Sequence, residues 1–261
     1  MMPPVSFPPP LTFLQTTPFF AWSYAQLLTF TISTLCFLKL LDIFAALLSH
    51  AFPRNLPPRA ALRPLELLDR FYIAFNKLFT VYFNSLLIYT ASNSSHVVWS
   101  LTKITLSNLP LAFILLFLVD DSCYYVYHRL LHWGPLYQHV HKHHHREVSP
   151  SRFTDDAYNA HPIEFTVTAS FFLVSMRLLQ HVLPSLHVLS VLLFASVNAT
   201  LAAVNHSRID LDLGEWMYRS KAHDTHHARG KKGGNYAQFL KVLDVVGGSY
   251  VEWEAPAKQQ D

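Results

Sequence analysis

The residues with chemical potential are histidines. The chain has 16 of them against 17 Asp and Glu, and all but His50 and His96 lie from His128 onward. His128 and His132 stand four apart in Tyr-His-Arg-Leu-Leu-His. On a helix that spacing puts both imidazoles on one face, one turn apart. His141, His144 and His145 form an HxxHH pattern, and His223, His226 and His227 repeat it. Between them lie His161, before Pro162 and Glu164, and His206, between Asn205 and Ser207. Neutral imidazole binds iron, zinc, copper or nickel. Ten imidazoles are too many for one ion. They suit two ions with about five ligands each, leaving a position open on each for oxygen or water.

Each pattern has a plainer reading. One HxxxH at a helix end is more often structural than ligating, and a single HxxHH divides evenly. It is the combination of three patterns that points to metal. His50, His96, His181 and His187 are isolated and read as interfacial or hairpin-tip residues. His139 and His143 lie off the HxxHH face of an ideal helix, about 100° per residue away, and are left out of the ligand set.

The elements that must position these histidines are apolar. Hydrophobic residues make up 51% of the 261 and charged residues 14%, against about 25% charged in ordinary soluble domains. A net charge of +3 defines no polyanionic partner, so nucleic acid is excluded. Cys36 and Cys123 sit in apolar stretches and build no disulfide framework. No glycine-rich phosphate cradle is present. Residues 1–18 are Pro-rich without Lys or Arg, unlike a signal peptide. Candidate spans then run over 19–48, 71–89 and 109–119, the last continuing as a helix to His132, which Pro135 ends. Two more, 165–183 and 185–204, form a hairpin about Pro184. The expected fold is an all-α, multi-span membrane bundle with a cytosolic, histidine-rich dimetal cap. Residues 1–107 form an N-terminal membrane region with two candidate spans. Residues 108–261 form the catalytic region, with the histidine motifs, the hairpin and a cytosolic tail.

Orientation follows from basic residues in short loops. Arg54, Arg59, Arg63 and Arg70 fall in one linker; Arg129, Lys142, Arg146 and Arg152 in the first histidine segment; eight Lys and Arg follow Asn205. The 91–108 connector has only Lys103. Five spans from an outside N-terminus put all three basic segments, and both histidine segments, in the cytosol. The Asn93 sequon is then luminal, and those at Asn198 and Asn205 fall in or beside a span.

The ordered set resembles the fatty acid hydroxylase/sterol desaturase superfamily of membrane di-iron oxygenases. The matching residues run from Asp121 and Tyr125 through His128-Arg129-Leu130-Leu131-His132 and His141–His145. They continue through His161–Glu164, Asn205-His206-Ser207 and His223–His227 to Asn235-Tyr236 and Asp244. The resemblance covers roughly residues 108–252. It implies two irons facing the cytosol, with zinc an acceptable substitute in purified protein. It also implies O2, an apolar lipid or sterol substrate, and location in the endoplasmic reticulum. Electrons are expected from a separate carrier such as cytochrome b5 or a ferredoxin with its reductase. Many members have a small Ser-Gly pair where this chain has Ser207-Arg208, so Arg208 is expected to reshape the substrate mouth. The expected activity is hydroxylation or desaturation of a lipid C–H site, with hydroxylation slightly preferred. A histidine-rich metal transporter and a catalytically inactive lipid-binding relative are the alternatives. Asp121, Glu164, Asp224 and Asp244 are the candidate carboxylates to accept the second ring N–H of a ligand.

Overall fold

The computed structural model describes residues 17, 21–51 and 56–255. The Pro-rich start, Arg54, the His50 side chain and the segment 257–261 lie outside the described residues. Among the described residues, five helices are long and apolar enough to cross a membrane. They are α1 (Tyr24–Ala51), α2 (Leu67–Ser92), α3 (Ala112–Leu131), α4 (Pro162–Val182) and α5 (Val188–Asn205). A shorter helix, α6 (Ser220–Arg229), follows. Leucine and phenylalanine dominate α1, and Leu28, Leu40 and Leu47 stay exposed on it. That outward apolar surface suits hydrocarbon rather than water.

The core lies where α3, α4 and α5 meet. Phe117, Phe172 and Phe194 interlock there, with ring centroids 4.7 Å (Phe117–Phe194) and 4.8 Å (Phe172–Phe194) apart. Leu116, Met176 and Val191 close the same cluster and are fully or almost fully buried. Truncating such an aromatic to Ala costs about 3–5 kcal/mol.

Local signals set the helix ends. Pro162 occupies the first turn of α4, and the His161 Nδ1 accepts from the Ile163 N–H at 3.2 Å. His187 does the same for α5, accepting from the Leu189 N–H at 3.1 Å. The isolated His187 is therefore a helix cap at the hairpin tip. A two-residue parallel pair joins β1 (Val97–Val98) to β2 (Leu186–His187) and ties the connector after α2 to that tip. The ends of α3 and α5 and the starts of α2 and α4 converge at the other end, with the histidines. The first histidine motif departs from the expected regular helix. α3 stops at Leu131, and residues 137–141 form a wide turn in which the Lys142 N–H reaches the Tyr137 carbonyl at 2.7 Å. A tight 3₁₀ turn over His144–Arg146 follows.

Candidate metal centre

Nine imidazoles gather into two adjacent groups. His128, His132, His141, His145 and His226 form one, and His144, His206, His223 and His227 form the other. Within each group the ligating nitrogens all lie within 4.8 Å of one another. Nitrogens around one ion, at a metal–N distance of about 2.1 Å, lie on the order of 4 Å apart. Each HxxHH motif serves both groups. The first and last histidines of the first motif, His141 and His145, go to the five-membered group, and His144 goes to the other. The second motif mirrors this: His223 and His227 join the four-membered group and His226 crosses over.

Hydrogen bonds fix the tautomers. The His128 Nδ1–H donates to the Tyr236 carbonyl at 2.7 Å, His206 to Ala202 at 2.7 Å, His226 to Gly234 at 2.7 Å and His227 to Glu147 at 2.8 Å. The His141 Nδ1–H donates to Glu164 Oε1 at 2.8 Å. A carbonyl can only accept, so each of these neutral rings carries its lone pair on Nε2. The Nε2 lone pairs of His128 and His141 face each other at 3.1 Å, the Nε2 of His145 lies 2.9 Å from that of His141, and the Nε2 of His223 lies 3.0 Å from those of both His206 and His227. Among the described residues, His226 Nε2 and both nitrogens of His132 are buried without a hydrogen-bond partner. Lone pairs converging at such distances repel unless a cation sits among them. The donor set fits two soft-to-borderline metal ions held by imidazole alone.

Burial keeps the rings neutral. Desolvation, with repulsion from neighbouring imidazoles, pushes His132 down to about 3. Desolvation takes His141 and His144 to about 3 and His206 to about 4. It holds His145, His223, His226 and His227 well below the ordinary imidazole range. At neutral pH every one of these eight rings is available as a ligand without first losing a proton.

The tenth expected ligand, His161, lies outside both groups. Its Nδ1 lone pair is spent on capping α4, so the neutral ring has none left for a metal. His143 is also outside: its Nε2–H donates to Asn159 Oδ1 at 2.9 Å and to Asp69 at 3.0 Å. His139, His96 and His181 are exposed.

Of the four carboxylates, only Glu164 accepts from a histidine ring. Asp121 instead accepts the backbone N–H groups of Gln238 at 2.7 Å, Phe239 at 3.2 Å and Leu240 at 2.6 Å. Asp244 accepts from the N–H groups of Tyr236 at 2.8 Å and Ala237 at 2.7 Å. Together they hold the 234–240 strand of chain whose carbonyls orient His128 and His226. They act one layer further out than expected. Asp224 sits one residue from His223, so it leaves the ligand face of α6. It takes the Arg59 Nε–H at 2.7 Å, the Trp253 Nε1–H at 3.2 Å and the Arg208 guanidinium. Arg208 is thus not a mouth residue. It has φ 66° and is buried, and it ties the end of α5 to Asp224 and to the Leu56 and Pro57 carbonyls. The backbone acceptors leave no signal in the sequence pattern, whereas Asp120 is marked by its position inside an apolar run.

The four-membered group opens onto a cavity of about 230 Å³ between the helices. His144, His206 and His223 are part of its lining. Leu38 of α1, Phe83 of α2, Phe165 and Phe172 of α4 and Ala195 of α5 form apolar wall.

Fold and site together define a helical, span-capable chain with two adjacent all-imidazole sites at one end of its bundle. The chain belongs to the fatty acid hydroxylase family, whose model matches residues 113–249, more than half of its length. This is the superfamily that the motif order resembles. Among curated proteins it is similar to a methylsterol monooxygenase of Aspergillus fumigatus, 29% identical over 59% of this chain and 52% of that protein. It is similar to methylsterol monooxygenase 1 of Rattus norvegicus, at 32% identity over 52% of this chain and 45% of the rat protein. A Delta(7)-sterol 5(6)-desaturase of Gibberella zeae is 30% identical over 53% of this chain and 37% of its own length. The matched regions thus span about half or less of these relatives. No solved structure matches the chain.

Proposed function

We propose that the chain is an integral membrane oxygenase that holds two iron ions and hydroxylates or desaturates a C–H site on a sterol or related lipid. The observation that carries this is the convergence of unprotonated Nε2 atoms beside an apolar cavity between span-capable helices. Two ions so held supply the activation of O2 that breaking an unactivated C–H bond requires. For hydroxylation the balance is substrate, O2, two electrons and two protons giving alcohol and water, with the electrons brought by a separate carrier such as cytochrome b5 or a ferredoxin with its reductase. The printed names of the relatives include both monooxygenases and a desaturase, which supports the class and leaves both outcomes within it.

The chain's own residues have three tasks. The nine imidazoles of the two groups hold the ions. Glu164, the backbone carbonyls and, behind them, Asp121 and Asp244 fix ring orientation, as outer partners of metal ligands do. The aromatic and aliphatic cavity wall admits a lipid tail and excludes water. A transporter would place its ligands near the middle of the bilayer on broken helices; here they follow the helix ends. Arg59, Arg63, Arg146 and Arg152 lie at that same end, which supports a cytosolic site, and the family resemblance supports the endoplasmic reticulum. The test is reconstitution of the iron-loaded full chain with NADH, a reductase, cytochrome b5 and a membrane lipid extract, followed by mass spectrometry. A lipid gaining 16 mass units or losing about 2, dependent on O2 and iron, is the expected result. No O2-dependent product with any carrier, together with normal metal content, overturns the oxygenase reading.

A further inference from the structure

Part of the cavity wall is polar, and the metal chemistry does not use it. Asp120 lies within the apolar run of α3, is 6% exposed, and lines the cavity. Among the described residues its carboxyl has one hydrogen bond, from Asn198 Nδ2 on α5 at 3.5 Å, the long limit of such contacts. No Lys or Arg among the described residues forms an ion pair with it. A carboxyl at membrane depth is costly unless it has a partner. Asn84 of α2 and Thr168 of α4 add polar atoms to the same wall.

The helices set the distance. Asp120 precedes His128 on α3 by eight residues, and Asn198 precedes His206 at the end of α5 by eight. Eight residues advance about 12 Å along a helix. The polar pair therefore lines the same cavity as the imidazoles, roughly two helical turns away from them.

We propose that Asp120 and Asn198 form a subsite for the hydroxyl of a neutral lipid alcohol, anchoring the substrate of the oxygenase reading about 12 Å from the metal end. The inference rests on that reading. A hydroxyl complements the pair: its proton goes to the Asp120 carboxyl oxygen, and its oxygen accepts from Asn198 Nδ2. A lipid carboxylate or phosphate would bring a charge into a water-poor wall that offers no cation among the described residues, a desolvation cost a hydroxyl does not carry. A plain alkyl chain would leave the carboxyl unpaired. The subsite thus selects alcohols over free fatty acids and fixes which end of the molecule lies away from the metals.

Equilibrium binding to the metal-loaded full chain in detergent tests this with two matched pairs: cholesterol against 5α-cholestane, and 1-hexadecanol against hexadecane. Palmitate serves as the charged control. In at least one pair the alcohol should bind about 10-fold more tightly, the worth of a buried hydrogen bond. Palmitate should bind more weakly than hexadecanol. Asp120→Leu should erase the preference while two metals remain bound, and Asn198→Leu, which keeps the carboxyl, should reduce it. No preference in either pair, palmitate binding as well as the alcohols, or a preference that survives Asp120→Leu overturns the subsite. The wild-type pairs decide the matter even if the leucine variant does not fold. Because binding is read without turnover, a failed subsite leaves the oxygenase reading standing, and loss of metal or product counts against that reading alone.

Discussion

The two imidazole groups differ in how they meet the rest of the molecule. All five rings of the larger group, His128, His132, His141, His145 and His226, are buried. In the smaller group His144 and His223 are only half-buried, and with His206 they face the cavity. One group is enclosed by protein on every side, while the other has an open flank toward apolar space. Two nearly equal donor sets thus have unequal access. In the oxygenase reading the smaller group meets the substrate and the larger one supports it.

The strongest way to break this comparison is to separate neighbours in sequence. His144 and His145 are adjacent but belong to different groups. His144→Ala and His145→Ala should each lose about one of two ions, and turnover should fall by more than the roughly 10- to 100-fold typical of an outer partner. Metal analysis and product formation at matched expression check both. If either variant loses both ions while the other keeps both, the two-site partition is wrong.

A smaller effect should come from the one carboxylate that touches a ligand ring. Glu164→Gln keeps the shape but removes the charge that holds the His141 Nδ1–H. Metal affinity should fall about 10- to 100-fold at the larger group, as read by competition with a chelator. Unchanged affinity would place orientation of His141 elsewhere.

The buried imidazoles also set a pH window for the metal-free protein. Their folded values lie below the ordinary value of about 6.5, at about 3 for His132, His141 and His144 and about 4 for His206. The unfolded chain therefore binds more protons between these limits, and stability rises with pH there. The contribution is complete above about pH 6.5 and is lost as pH falls toward 3–4. Thermal unfolding of the apoprotein from pH 8 to pH 4 should show a falling midpoint below about 6.5. A flat profile would contradict the enclosure of these rings.

The smallest effect belongs to His143. Its ring bonds to Asp69 and Asn159 outside both groups. His143→Gln should cost about 1 kcal/mol of stability and leave two metals bound. Loss of metal in this variant would make it a tenth participant.

Much of this was legible in the sequence, for physical reasons. Eight of the gathered histidines stood out by type and spacing and His206 by its place in the motif order, and the apolar runs located all five long helices to within a few residues. His143 stands outside both groups, but the ideal-helix face that sets it apart does not exist in the 137–146 segment. Spacing reports faces only inside regular helices, so the sharing of each HxxHH motif between two groups could not be read. His161 was read by its neighbours in the motif order, and its use as a cap depends on backbone geometry at Pro162. The roles of Asp121 and Asp244 depend on the fold of the 234–240 segment. Asp121 meets that segment from more than a hundred residues away, where local pattern carries no information.

The central claim is that two groups of converging lone pairs hold two ions. Elemental analysis of the full chain, purified after iron supplementation and compared with a His141→Ala/His223→Ala double variant, tests it directly. The account predicts two transition-metal ions per wild-type chain, iron with some zinc, and essentially none in the double variant. One ion or none in the iron-loaded wild type, or two retained in the double variant, would contradict it.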